Sequence, residues 1–250
     1  MRVGIRRAAT ILVGAGVLVL AWAALVWVWQ DPFTAVYTLW QQHRLQGQYA
    51  QVQRAWVAHH PARPDAPTVA SEKAMVASDA GAFQRQAKLG QAIGKISIPR
   101  IGLNMILVYG TDHDSLIRGP GVDPRGRLPG ANRLVYIAGH RTTYLAPFAH
   151  IDEIQKGDLI RIEMPYGTFV YRAFRHEIVP ADDMAVLRSP HHELLRLQAC
   201  HPRFFATHRY LVDAKLVQVE LPHARGWTVA SMPLLAPARS RRQLAHAATG

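Results

Sequence analysis

The sequence is nearly devoid of cysteine, since Cys200 is the only one among 250 residues. A single cysteine excludes an internal disulfide, so the fold must depend on its hydrophobic core and its hydrogen bonds. A leftover thiol in an exported protein is an incidental small hydrophobe, an intermolecular link or a reactive group. The surroundings of Cys200 in the sequence therefore have to decide between these possibilities.

Charged residues are missing from residues 8–29, which read AATILVGAGVLVLAWAALVWVW. At ~1.5 Å per residue, a helix of this length spans a bilayer core of ~30 Å. Arg2, Arg6 and Arg7 precede the run, and such positive flanks stay in the cytoplasm. We predict a single-pass membrane anchor with residues 1–7 in the cytoplasm and the rest of the chain outside. A cleaved signal peptide is the alternative, although its apolar region is usually only ~7–15 residues long.

Acidic residues are scarce, with 17 Asp and Glu against 29 Lys and Arg, which gives a formal net charge of +12. A basic chain can bind nucleic acid. The basic residues are dispersed, however, and no basic run is interleaved with aromatic residues, so we predict no nucleic-acid partner. An anionic envelope polymer or lipid headgroups would suit an extracytoplasmic basic surface, and an ordinary solvated surface is the simplest interpretation.

Long helical patterns are absent after Gln91. Residues 30–92 are rich in Gln, Ala and Ser, and we interpret them as a helical spacer and not as a second domain. Three prolines interrupt this spacer at Pro61, Pro64 and Pro67. The folded catalytic part of the chain is therefore expected to begin at residue 93.

Seven or eight short strands with Pro- and Gly-containing turns occupy residues 93–222. The clearest is a hairpin in which residues 158–164 alternate, residues 165–167 turn and residues 168–175 return. This pattern predicts an all-β domain that closes into a barrel with a few short helices. Residues 223–250 are rich in Pro, Ala and Arg without a clear period, and we expect them to form a disordered basic tail.

Three side chains near strand ends have the chemistry of a nucleophilic site. Cys200 ends an apolar strand and precedes His201-Pro202, which cannot continue a regular ladder, so its thiol is accessible. His140 also follows a buried strand, and Arg209 begins the strand after the cysteine. A thiolate is nucleophilic, an imidazole transfers protons, and a guanidinium binds an oxyanion.

Each of these residues also has an ordinary interpretation. Cys200 could be a small buried hydrophobe, Arg209 a surface ion pair, and His140 any one of thirteen histidines. His201 is the obvious competitor for the role of base because it adjoins the cysteine. Adjacent residues on a strand point to opposite faces, so we expect His201 to point away from the face of Cys200.

Metal ligands are present but poorly spaced. His191, His192, Glu193 and His201 could suggest zinc, yet their spacing fits no common zinc site. We interpret the first three as a solvated loop and predict neither a metal nor a cofactor.

Five stretches, which occur in order and cover about residues 93–220, resemble the sortases, the membrane-anchored cysteine transpeptidases of bacterial envelopes. They are ISIPRIGL (96–103), GPG (119–121) with LPG (128–130), AGHRTTY (138–144) with APF (146–148), KGD (156–158) with PYG (165–167), and the run from Cys200 to Arg209. The sequence looks most like class E. The resemblance implies a sortase β-barrel in which His140, Cys200 and Arg209 form the catalytic triad. The calcium site of class A sortases has no convincing counterpart in this sequence.

Two departures from the family pattern leave these three residues in place. Ala199 stands where the family usually has a threonine, which removes a hydroxyl that could help position substrate. Residues 122–127 read VDPRGR, where class E members tend to have His-Tyr-Pro-Gly-Thr-Pro. The second departure concerns which sorting motif the protein accepts and which sortase class it resembles.

The predicted function is transfer of secreted proteins to the cell envelope. Cys200 would cleave a carboxyl-terminal motif of the Leu-Ala-x-Thr-Gly or Leu-Pro-x-Thr-Gly type and form a thioester. An amine of the cell wall or of a pilin would then accept the protein. The alternatives are a cysteine hydrolase of the same fold, with water as the acceptor, and a catalytically silent module that binds the envelope.

Overall fold

The computed structural model describes residues 2–29, 32–60, 68–222 and 224–228. Its α-helices are α1 (Arg2–Trp29), α2 (Pro32–His59), α3 (Val69–Gln86) and α4 (His113–Leu116), and short 3-10 helices cover Pro99–Ile101, Ile151–Glu153 and Met184–Leu187. Its strands are β1 (Ala92–Ile98), β2 (Leu103–Tyr109), β3 (Gly121–Val122), β4 (Leu134–Ala138), β5 (Leu159–Met164), β6 (Gly167–Pro180), β7 (Leu194–His201), β8 (His208–Leu221) and β9 (Ala224–Thr228).

Eight of these strands form a closed barrel. Their order is β6-β5-β1-β2-β3-β4-β7-β8, and a second pairing between β6 and β8 closes the ring. The pairs β2–β3 and β4–β7 are parallel, and the other neighbours are antiparallel. The predicted closed all-β barrel is therefore confirmed, with the larger of the two expected strand numbers.

Alternating burial explains why these segments form a barrel. In β5 the even-numbered residues are buried while the odd-numbered ones are partly exposed, as expected for a strand with one face on a core. The interior contains apolar residues from all sides of the ring, including Ile96, Leu107, Ile137, Ile162, Phe169, Leu197 and Val212. Phe148, from the connection after β4, joins the same core.

Helices α2 and α3 pack on the barrel, which differs from the expected separate spacer. Trp56 of α2 and Phe83 of α3 belong to the main core, and their rings meet edge to face with centroids 5.3 Å apart. Gln42 of α2 donates to the backbone oxygen of Ile106 and accepts from its N–H group, so α2 continues the hydrogen bonding of β2. The helical part of the prediction is correct, but both helices belong to the folded unit.

The predicted ends of the chain are only partly described. Within the expected disordered tail, Ala224–Thr228 pair with β8 as an added antiparallel strand, so disorder is the wrong prediction for these five residues. Residues 223 and 229–250, as well as the three prolines of the spacer, lie outside the described residues. Among the helices as described, none is both long and apolar enough to cross a membrane.

Candidate active site

Cys200 lies on the outer face of the barrel wall. In β7, the side chains of Leu195, Leu197 and Ala199 belong to the core, so the alternate residues face outward. Cys200 follows this alternation and is half-buried. Ala199 is fully buried, so a hydroxyl at this position would face the barrel interior and not a substrate. The expected loss of a substrate-positioning group is therefore a wrong interpretation.

The strand register brings the three predicted residues to one edge of the sheet. Cys200 of β7 is directly opposite Arg209 of β8. On the other side of β7, Ala138 of β4 is opposite Gln198 in a parallel pair. His140 is two residues beyond Ala138, and Cys200 is two residues beyond Gln198. Both therefore lie at the same end of the parallel pair β4–β7. A thiol, an imidazole and a guanidinium thus lie at one end of three adjacent strands.

The backbone around His140 is held at both sides. The N–H group of Gly139 donates to the backbone oxygen of Gln198 at 3.0 Å, and the N–H group of Phe148 donates to the backbone oxygen of His140 at 3.0 Å. A β-carbon at Gly139 would lie 2.7 Å from the ring of Phe148, so only glycine allows this close approach. The connection after β4 is therefore folded tightly against the strand end that presents His140.

The imidazole of His140 is half-buried, and one of its two nitrogen atoms is buried without a partner. Its Nε2 atom has no hydrogen-bond partner within the described part of the chain, and its ring lies 5.0 Å from that of Tyr144. Burial lowers the pKa of His140, and the nearby His113 lowers it further. A buried polar atom without a partner is a common feature of sites that bind a ligand or transfer a proton.

Arg209 is oriented by the loop that connects β7 and β8. Its Nη1 atom donates to the backbone oxygen of Ala206 at 2.9 Å and to that of His208 at 3.1 Å. These contacts hold the Nη1 end of the planar guanidinium, whose N–H donors point in different directions. The register therefore places Arg209 opposite the cysteine, and the loop orients its guanidinium.

Two further residues of this region were not singled out from the sequence. Arg141 is 4% exposed and contacts Cys200, His201, Asp152 and Tyr210. Tyr144 begins a run of three residues with positive φ angles of 53°, 60° and 38°. Both lie within the AGHRTTY motif, so the motif indicated the segment, but no pattern in the sequence indicated what each side chain contacts.

His201 is not placed to serve as the base. Its Nδ1 atom accepts a hydrogen bond from Arg141 at 2.9 Å, and its ring lies 5.8 Å from that of Tyr210, which packs against the core. Because Cys200 faces outward, the predicted opposite orientation of the two neighbours is confirmed. The buried Arg141 and the nearby His208 add to the effect of burial in lowering the pKa of His201.

Two of the residues considered for zinc, Glu193 and His201, have other partners. Glu193 is buried, accepts hydrogen bonds from the N–H groups of Gly130 and Asn132 at 2.8 and 2.9 Å, and accepts another from the hydroxyl of Tyr171 at 2.6 Å. It thus anchors the connection before β4. Within the described residues, no group of three or more histidine, cysteine and acidic side chains is arranged to bind a metal ion.

Comparisons with known proteins agree with this geometry. Residues 96–217 match the family described as the sortase domain. The chain is 35% identical over 132 residues to sortase D of Bacillus subtilis, and the match covers 51% of this chain and 65% of that protein. The chain therefore spans slightly less than two thirds of this relative.

Solved structures show the same fold. A Clostridium perfringens sortase D5 transpeptidase has 28% identity and a TM-score of 0.51, and the match covers 56% of this chain and 88% of that one. The SrtF sortase of Corynebacterium diphtheriae has 21% identity and a TM-score of 0.52, with coverages of 59% and 93%, and supports the fold alone. The barrel, the matched family model and these relatives together show that residues 96–217 form a sortase domain.

Proposed function

We propose that this protein is a cysteine transpeptidase that attaches secreted proteins to the cell envelope. The observation that carries the proposal is the strand register, in which Cys200 is opposite Arg209 and His140 follows the neighbouring strand at the same edge. The sortase D5 of Clostridium perfringens is itself described as a transpeptidase. Sortase family membership therefore supports the same reaction type here.

The first step forms a thioester on the enzyme. The Cys200 thiolate attacks the carbonyl carbon of a Thr–Gly-type amide, and the carbonyl electrons move to oxygen as the C–S bond forms. Arg209 stabilises the oxyanion with its diverging N–H donors. The C–N bond then breaks as His140 gives its proton to the departing amine. The lowered pKa of His140 makes its imidazolium a stronger acid for this transfer.

The second step releases the product. An incoming amine loses a proton to the now neutral His140 and attacks the thioester carbonyl. Collapse of the second oxyanion breaks the C–S bond, and Cys200 leaves as a thiolate. We propose that the donor carries a carboxyl-terminal sorting motif of the Leu-Ala-x-Thr-Gly or Leu-Pro-x-Thr-Gly type. The acceptor would be an amine of the cell wall or of a pilin.

The class E assignment also belongs to this proposal. It rests on the sequence motifs, whereas the relatives with 28% and 35% identity are both named sortase D. Comparing kcat/KM for the two sorting peptides tests the assignment. A preference for the peptide with proline at its second position would contradict it.

We further propose that the uncharged run at residues 8–29 anchors the enzyme in the cytoplasmic membrane, with Cys200 outside. Substrate and acceptor would then be held at the same surface. Amino-terminal sequencing of the membrane-extracted protein should find residues that precede Ala8. A mature terminus near Gln30 would contradict the anchor.

The decisive experiment combines a sorting peptide with mass spectrometry. Wild-type protein should accumulate an acyl adduct on Cys200, and addition of a primary amine should convert the peptide to the transamidation product. Cys200→Ala should give neither. Turnover in that variant within about tenfold of wild type would refute the mechanism, because loss of a nucleophile normally costs far more.

The hydrolase alternative uses the same three residues. It differs only in the acceptor, so it predicts a free carboxylate as the product whether or not an amine is present. The silent binding module predicts that alkylation of Cys200 leaves every measurable activity unchanged.

A further inference from the structure

A second group of three residues lies directly behind the candidate triad. Arg141, His201 and Tyr210 each follow one member of that triad in the sequence. Because successive strand residues point to opposite faces, His201 and Tyr210 turn away from the side on which Cys200 lies, and Arg141 reaches them from the connection after β4. The three therefore meet one another, and we call this group the brace.

The contacts within the brace converge on Arg141. Its Nη1 atom donates to Nδ1 of His201 at 2.9 Å and lies 3.3 Å from the backbone oxygen of Cys200. Its guanidinium carbon lies 5.6 Å from the ring centroid of Tyr210. One side chain on the His140 segment therefore reaches the Cys200 strand and the Arg209 strand together.

Arg141 is itself held in place from the far side. Its Nη2 atom lies 2.9 Å from a carboxylate oxygen of Asp152, in the 3-10 helix after the His140 connection. The Arg141 side chain is 4% exposed, whereas that of Asp152 is 49% exposed, so this pair links the buried guanidinium to the protein surface. The ring of Tyr210 is fixed in turn by a hydrogen bond of 3.0 Å between its hydroxyl and Nδ1 of His176.

We propose that Arg141 is a positioning residue, which through His201 and Tyr210 sets the relative placement of His140, Cys200 and Arg209. Cys200 and Arg209 are joined by one loop, but His140 lies on a separate segment of the chain, so no single turn fixes all three. A displacement of about 1 Å between reacting groups can cost about 100-fold in rate. A single buried guanidinium that bonds to the strand ends limits that displacement.

The chemistry of the brace explains the choice of arginine. The guanidinium has several donors in a rigid plane, so it can bind His201, the Cys200 carbonyl and Asp152 in different directions. A lysine has one ammonium group on a flexible stem and cannot reproduce these directions together. Since arginine only donates, His201 has to accept with a neutral Nδ1 atom.

The test compares Arg141→Lys with Arg196→Lys. Arg196 is a matched control because it is also buried, also joins β7 to β8, through Asp213 at 2.7 Å, and does not belong to the brace. Arg141→Lys should lower kcat for the sorting peptide by about 10- to 100-fold with KM within about twofold of wild type. Arg196→Lys should keep kcat within about threefold of wild type, even if it lowers the melting temperature as much as Arg141→Lys does.

A second pair of variants keeps the test valid if Arg141→Lys does not fold. His201→Asn retains a side-chain acceptor for Arg141, whereas His201→Leu removes it. The leucine variant should lose about tenfold in kcat and the asparagine variant should recover most of it, because only the acceptor differs. Equal kcat values in these two variants would overturn the proposal, as would equal losses in the two lysine variants.

The inference rests on the proposed function only through the turnover assay, so labelling of Cys200 with iodoacetamide at neutral pH is measured in parallel. Labelling depends on the cations around the thiol and needs no sorting peptide. It should slow several-fold in Arg141→Lys and not in Arg196→Lys. If wild-type protein leaves the peptide intact while this contrast holds, the brace stands and the proposed function fails. If wild-type protein turns the peptide over and the labelling contrast is absent, the brace fails.

Discussion

The strands of the barrel wall and the loops around the candidate site differ in backbone conformation. Six non-glycine residues have a positive φ angle in the described part of the chain, and five of them lie in the connections after β4 and between β7 and β8: Tyr144, Leu145, Ala146, Phe204 and Ala206. Such conformations cost about 1–3 kcal/mol each. None of the six residues lies in a strand of the wall, and the loops around the candidate site contain most of the strained backbone.

This contrast indicates where stability and chemistry are located. Substitutions in the wall or in the helices packed on it should change stability and leave turnover of the folded protein intact. Substitutions at the catalytic edge should change turnover much more than stability. The predictions below are arranged by their expected effect on turnover, from the largest to the smallest.

His140→Ala should lower kcat by about 10²–10⁴-fold, because it removes the group that transfers protons in both steps. His201→Ala should lower kcat only about tenfold, since His201 acts through Arg141 and not on the substrate. Peptide cleavage assays on both variants give the order directly. If His201→Ala has the larger effect, the wrong histidine has been paired with Cys200.

Arg209→Lys should lower kcat by about 10²–10³-fold, because an ammonium cannot reproduce the planar donors that bind an oxyanion. The melting temperature should change little, since Arg209 lies at a strand end. Arg161→Lys is a suitable control, as Arg161 pairs with Glu220 on another part of the barrel. If Arg209→Lys keeps more than about a third of the wild-type kcat, the oxyanion role belongs to backbone amides.

Trp56→Ala should destabilise the protein by about 3–5 kcal/mol, the usual cost of removing a large aromatic side chain from a core. Trp56 is 7% exposed and belongs to the main core although it lies in α2. Urea unfolding measures the loss, and kcat per folded molecule should be unchanged. A large fall in kcat at full folding would mean that α2 contributes to the site, which would blur the contrast between the two regions.

The smallest effect concerns the pH dependence of stability. The pKa values of both His140 and His201 are lowered, in each case mainly by burial. As the pH falls below the usual histidine value of about 6.5, the unfolded chain binds protons that the folded protein does not. The melting temperature should therefore fall with the pH in this window and level off below the folded-state pKa values. His140→Gln should weaken the dependence, and an unchanged slope would exclude His140 as a contributor.

The regular part of the fold could be predicted from the sequence, because alternation of apolar residues reports directly on burial in a strand. The β5–β6 hairpin is the best case, since its turn and both strands are adjacent in the sequence. The packing of α2 could not be predicted in the same way. Trp56 packs against the barrel through tertiary contacts that no local pattern specifies.

The candidate residues of the site could be named from the sequence, whereas their arrangement could not. The motifs indicated His140, Cys200 and Arg209, and the sequence placed Cys200 at the end of one strand and Arg209 at the start of the next. The parallel pairing of β4 with β7 joins segments sixty residues apart, so no local signal revealed it. Arg141 was missed for the same reason, because its role depends on what lies behind a strand end once that pairing has formed.

The parallel pair β4–β7 also affects how the enzyme acquires its activity. Loop closure over sixty residues carries an entropic cost before any hydrogen bond of this pair forms, so contacts of this kind slow folding. His140 and Cys200 are adjacent only after that closure, and Arg209 is placed only when β8 has joined. A fragment that ends before residue 209 would contain the thiol and His140 without Arg209. Turnover is therefore a sensitive probe of complete folding, and partly folded chains would contribute no background activity.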